Sequence, residues 1–131
     1  MDERDRYEQG MAIRREVFGD AHVDAGLAHR NAFNAEMQDL IARYAFGEIW
    51  SRPGLPRATR SLITMAMLLA LHRDAELRLH VRAALRIGVT RDELKELLLM
   101  AAIYCGIPAA HSGFRLVEDV LAEVDRECAP R

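Results

Sequence analysis

Apolar positions recur every three or four residues almost from end to end of the chain, and nowhere do they alternate as along a half-buried strand. This periodicity predicts an all-α fold of six or seven helices. The first covers residues 3–18, sets Met11, Ile13 and Val17 among charges, and ends near Gly19. The run "GDAHVDAG" has the Gly and Asp content of a loop, with a short helical or irregular piece after it. Asn34 stands where an N-cap would open a helix through "AEMQDLIARYAFGEIW", which Pro53 and Gly54 stop.

Pro56 starts "PRATRSLITMAMLLALHR", which is apolar nearly all round after Ser61. A helix of that kind belongs in the centre of a bundle or of an oligomer. The next helix runs over about 74–87 and meets its stop at Gly88. Thr90 and Glu93 have capping-box spacing at the head of "RDELKELLLMAAIYCG". Pro108 separates that helix from a last one ending near Glu127.

Composition narrows the class. The 131 residues suit one domain over 1–131, long enough for a real core. Half of them are hydrophobic and Pro and Gly are scarce, as in a soluble helical protein. A net charge of -2 provides neither a basic field for nucleic acid nor an acidic tail. No uncharged apolar run reaches the ~18 residues of a membrane span. The polar opening "MDERDRYEQG" lacks the apolar core of a signal peptide, so a cytoplasmic protein is expected. Cys105 and Cys128 lie in no CxxC or CxH pattern, so neither a metal site nor a disulfide framework is expected. All basic residues except Lys95 are arginine, which weakens any single Arg as a functional signal.

The helix over 74–87 raises the chemical question. At about 100° per residue, Arg78, Arg82 and Arg86 share one face, while Leu77, Val81, Ala84 and Leu85 share the other. His80 falls among the apolar residues. One account is a core histidine bonded to a neighbour. The other is an acid/base group aligned by Glu76, four residues earlier, which can orient the ring and favour its protonated form. Glu76 and His80 also have the spacing of half a metal site, with no second half in the chain.

"FGEIWSRPG" sets Glu48, Trp50 and Arg52 at a helix end before a rigid turn. These are either a solvated Glu and Arg beside a packed Trp, or a pocket wall offering a carboxylate and an anion clamp. His22 reads first as a solvent-exposed loop residue, and Arg14 and Arg15 as a charged helix face. Tyr104 and Cys105 read as packing residues, and His111 and Ser112 have no obvious partner. A phosphate loop, a nucleophile elbow and a zinc motif are all missing from the sequence. Local chemistry yields a pocket without a reaction.

The assembled pattern resembles the 4-carboxymuconolactone decarboxylase family of the alkylhydroperoxidase-like helical superfamily. The resemblance rests on "YEQGMAIRREVFGDAHVD", "QDLIARYAFGEIWSRPGL", "TRSLITMAMLLAL" and "HVRAALRIGVTRDELKELLLMAAIYCGIPAA", in family order. The thiol-peroxidase branch carries C-x-x-C-x-x-x-H with a supporting glutamate on the preceding helix. Aligned on His80, its cysteine positions hold Arg73 and Glu76, and its glutamate position holds Ser61. A thiol peroxidase cannot work without its thiolate pair.

The resemblance therefore implies a lyase that converts 4-carboxymuconolactone to 3-oxoadipate enol-lactone and CO2 in the β-ketoadipate route from protocatechuate, without metal or organic cofactor. It implies His80, aligned by Glu76, as proton donor or oxyanion partner, and Glu48 either as a second acid/base or as a charge that repels the departing carboxylate. Arg52 and one of Arg14 or Arg15 would clamp carboxylates, with His22 reaching in from its loop. The family forms homo-oligomers built from trimers, often hexamers. The competing readings are a same-fold enzyme acting on another lactone or hydroperoxide, and a non-catalytic helical oligomer that binds a small acid.

Overall fold

A computed structural model describes residues 1–129. Among them are seven α-helices and no strand: α1 (Glu3–Phe18), α2 (Asp20–Ala28), α3 (Ala35–Leu40), α4 (Arg57–Ala70), α5 (Asp74–Arg86), α6 (Arg91–Tyr104) and α7 (Ile107–Cys128). α3 continues without a break into a π-helical stretch, Ile41–Trp50. The all-α expectation holds. The helices group into two compact units, Met1–Arg57 and a second from Ala58 onward.

In the first unit, α1 packs along the π-helical stretch. The contact is close because glycine stands on both sides of it. A Cβ built at Gly10 would overlap the Ala42 carbonyl oxygen and lie 2.9 Å from the Gly47 amide nitrogen. One built at Gly47 would overlap the Arg6 carbonyl oxygen. Ile13 and Val17 on α1, Val23 on α2, and Ala42, Phe46 and Trp50 are buried. Phe46 stacks on Trp50 at 5.4 Å and meets Phe18 edge-on at 5.5 Å, geometries that aromatic quadrupoles favour.

Two local expectations are corrected here. "GDAHVDAG" is helical: α2 starts at Asp20, directly after Gly19, and carries His22 on a helix instead of a loop. Arg15 pairs with both Asp20 (3.0 Å) and Asp24 (2.8 Å), one turn apart, and buried Val23 anchors the same helix. Those tertiary contacts outweigh the turn-like composition of the segment. Asn34 precedes α3 but makes no side-chain cap; its amide donates to the His29 carbonyl (3.0 Å) and its Oδ1 accepts from the Asn31 amide (2.9 Å). The capping geometry belongs to Asn31, whose Oδ1 accepts from the Phe33 and Asn34 amides.

In the second unit, one core joins four helices: Met65 and Leu69 of α4, Leu77, Val81 and Ala84 of α5, Leu94 and Leu98 of α6, and Val117 and Val120 of α7. The expected capping box is present, with Thr90 Oγ1 accepting from the Glu93 amide (3.1 Å) and Glu93 accepting from the Thr90 amide (2.9 Å). Gly88, at φ 100°, ends α5 as expected. The arginine face of α5 is not simply solvated. Arg78 pairs with Glu123, and Arg82 with Glu123 (3.2 Å) and Glu127 (2.6 Å), which lashes α5 to α7. The chain by itself does not enclose α4. Ser61, Met65 and Leu69 are buried, whereas Ile63 and Met67, and Leu71 just beyond the helix, are exposed.

Candidate functional site

The first unit carries Arg14, Arg15, His22, Glu48 and Arg52 of the seven sequence-derived candidates, and the second carries Glu76 and His80. In the first unit α1 supplies the two arginines at adjacent positions, and their surroundings differ sharply. The Arg15 guanidinium is taken by Asp20 and Asp24 of α2. Arg14 has no carboxylate partner among the described residues. Its NH1 reaches only the Met11 sulfur at 3.9 Å, its Nε is buried without a hydrogen-bond partner, and its guanidinium lies 6.0 Å from the Phe46 ring centre. Half-burial lowers its pKa, yet a guanidinium remains a cation at neutral pH. This is an arginine with its charge unspent.

His22 stands beside that charge. Its ring lies 5.3 Å from Phe18, and its pKa is pushed down, first by partial burial and then by the Arg14 cation. The structure thus brings Arg14 and His22 together from two helices, with Phe18 and Phe46 beside them. Neutral imidazole offers one donor and one acceptor next to a fixed cation, a combination suited to a carboxylate and a neighbouring oxygen.

Glu48, on the π-helical stretch, is half-buried, and its Oε2 accepts from Arg6 Nε at 3.2 Å. No other side chain among the described residues hydrogen-bonds its carboxylate. π-helical segments are rare and gather at functional sites, since each N–H reaches five residues back and re-aims the side chains of the wider turn. Arg52 is exposed just past this stretch. Sequence reasoning missed Arg6, Phe18 and Phe46 as neighbours of the candidates. Nothing in local spacing links residue 6 to residue 48.

In the second unit, His80 is half-buried on α5, between buried Leu77, Val81 and Ala84, and its Nδ1 is shielded from solvent. Glu76 is exposed, and no hydrogen bond or ion pair reaches its carboxylate among the described residues. The four-residue spacing that allows contact with His80 is therefore not used in this rotamer. The described residues contain no group of three or more His, Cys, Asp or Glu side chains placed to hold a metal. An open apolar groove of about 550 Å³ lies between α4 and α6, and none of the seven candidates lines it.

Residues 35–119 match the carboxymuconolactone decarboxylase family. The chain belongs to that family. It is 50% identical to a 4-carboxymuconolactone decarboxylase of Acinetobacter baylyi, over 95% of this chain and 92% of that one. It is 39% identical to a nitrosuccinic acid decarboxylase of Metarhizium robertsii, over 79% of this chain and 72% of that one. A 48-residue 4-carboxymuconolactone decarboxylase sequence of Pseudomonas putida is 54% identical along its whole length. The segment typical of the family opens at α3, so Arg14, Arg15 and His22 precede it. The Acinetobacter match spans 124 of the 131 residues and so takes in Arg14, Arg15 and His22 as well. No helix among the described residues is long and apolar enough to cross a membrane.

Proposed function

We propose that this chain is a carboxy-lyase that converts 4-carboxymuconolactone to 3-oxoadipate enol-lactone and CO2, in the β-ketoadipate breakdown of protocatechuate. The observation that carries the reading is the 50% identity with a 4-carboxymuconolactone decarboxylase along nearly the whole of both chains. The chemistry suits a site built only from side chains. As the carbon–carboxylate bond breaks, its electron pair passes through the conjugated C=C bond into the lactone carbonyl, forming a dienolate. CO2 leaves, and a proton is then delivered to carbon. The substrate is its own electron sink, so no cofactor is required.

The protein must hold two carboxylates, stabilise the developing oxyanion and supply that proton. In this reading His80 is the proton donor or oxyanion partner, with Glu76 one turn away as the carboxylate that a change of rotamer would bring to its ring. Glu48 is the second acid/base. Arg14 and Arg52 clamp carboxylates, and His22 hydrogen-bonds the substrate beside Arg14. Arg14 is favoured over Arg15 because its charge is not already matched by aspartates. Arg14→Ala is expected to lower kcat/KM about 10–100-fold, mainly through KM, as loss of a charge-assisted hydrogen bond does. Arg15→Ala is expected to stay near wild type in steady-state turnover assays.

The Metarhizium relative is named for a substrate that also carries two carboxyl groups and an electron-withdrawing substituent, so the same demands fall on its site. The deciding experiment is turnover of freshly prepared 4-carboxymuconolactone by purified, metal-stripped protein. Rapid CO2 release is expected. A folded protein that releases none would sink the reading.

The active form in this reading is a trimer-based homo-oligomer such as a hexamer. α6 leaves Met100, Ile103 and Tyr104 64%, 77% and 83% exposed, and Ile63 of α4, also exposed, lines one groove with Met100 and Tyr104. Exposed apolar side chains on and around one open groove are the signature of an association surface. Sedimentation velocity should show an assembly several chains in mass, and Ile103→Glu should shift it toward monomer. A wild-type monomer at micromolar concentration would rule the assembly out.

A further inference from the structure

Arg6 lies outside every candidate set above, yet it is the residue that holds Glu48. Its side chain is nearly four-fifths buried and is held on several sides. Nε donates to Glu48 Oε2 at 3.2 Å, and NH1 donates to Glu3. The guanidinium lies 5.4 Å from the Tyr44 ring centre. Glu3 is fixed in turn by the Tyr44 hydroxyl (2.8 Å) and by Arg43 (3.5 Å). The close approach of α1 to Gly47 sets the Arg6 backbone directly against the π-helical stretch, one residue before Glu48.

An exposed ion pair is worth little because two long side chains must be frozen to make it. Here the arginine is already held by Glu3, Tyr44 and its own backbone, so that entropy is spent before Glu48 arrives. The bond occupies one carboxylate oxygen and leaves Oε1 without a hydrogen bond to any described side chain. It also sets a cation beside a carboxylate that would otherwise repel an anionic substrate.

We propose that Arg6 is a positioning residue for the decarboxylation. It fixes the Glu48 carboxylate, offsets its charge toward a dicarboxylate substrate, and leaves Oε1 directed to the reaction. This rests on the reading of Glu48 given under Proposed function. Arg6→Gln is expected to lower kcat roughly tenfold or more, as displacement of a reacting group does, with a smaller change in KM.

The test is a double-substitution cycle on the full-length protein with 4-carboxymuconolactone: wild type, Arg6→Gln, Glu48→Gln and the pair. If Arg6 acts through Glu48, Arg6→Gln costs nothing further once Glu48 is Gln. An equal loss in both backgrounds would mean that Arg6 merely docks α1, and would overturn the proposal. Gln9→Ala is the control for docking, since Gln9 Nε2 donates to the Gly47 carbonyl (3.2 Å) without touching Glu48, and it is expected to keep near-wild-type kcat. Arg6→Lys keeps the charge but cannot donate in two fixed directions from one plane, so a kcat loss with unchanged melting temperature is expected even if Arg6→Gln folds poorly. Wild-type kcat in Arg6→Lys would overturn the proposal. An active wild type with an equally active Glu48→Gln would overturn the role of Glu48 and that of Arg6 together. A folded wild type without turnover would instead remove the decarboxylase reading itself.

Discussion

His80→Ala is expected to reduce kcat for 4-carboxymuconolactone by ~10²–10⁴-fold, the range typical of a positioned acid/base group. The ring is half-buried among Leu77, Val81 and Ala84, and its Nδ1 is shielded from solvent. In such surroundings a donor aimed at a developing oxyanion interacts more strongly than it would in water. α5 keeps the contacts that hold it, because Leu77, Val81 and Ala84 belong to the core while His80 does not, and Arg78 and Arg82 still pair with α7. The substitution should therefore leave the melting temperature within a few degrees of wild type. Turnover within about twofold of wild type would return His80 to packing and leave the reaction to the first unit's residues.

Gly10→Ala should have the largest effect on stability of any single-methyl addition in the first unit. Adding methylenes to a packed contact typically costs ~1–3 kcal/mol, because neighbouring side chains shift to make room. At Gly10 the obstacles are the Ala42 carbonyl and the Gly47 amide nitrogen, both backbone atoms of the π-helical stretch, so no rotamer change relieves the overlap. A cost at or above the upper end of that range is expected, roughly 10 °C or more in melting temperature. Moving α1 away would also draw Arg6 from Glu48, so kcat should fall in whatever fraction remains folded. Gly113→Ala provides the contrast. Its new methyl would meet the side-chain ends of Leu69 (2.7 Å) and Leu98 (2.8 Å), which can turn aside, so a smaller loss of about 1 kcal/mol is expected. Thermal unfolding of the two variants side by side checks the comparison, and equal losses would refute the backbone argument.

The sequence by itself determined the helices whose signals are local. α1, α5, α6 and α7 begin and end within a residue or two of expectation, because the apolar period, the Thr90–Glu93 capping box and the stop at Gly88 all act within one or two turns. The candidates His80 and Glu48 stood out for the same reason, as a ring out of place on an amphipathic pattern and a charge beside a turn, whereas Arg14 read as part of a charged helix face and became a candidate only through the family resemblance. Tertiary structure decided the rest. The turn-like segment "GDAHVDAG" is helical, with Val23 buried and Arg15 of α1 pairing with Asp20 and Asp24, contacts that local composition does not report. Neighbouring arginines look alike in the sequence, and only packing separates paired Arg15 from Arg14. The glycine contact at Gly10 and Gly47 and the hold of Arg6 on Glu48 join positions about forty residues apart. Periodicity reports which face of a helix is apolar. It carries no information about which backbone that face will meet, and that contact is what brings Arg6 to Glu48.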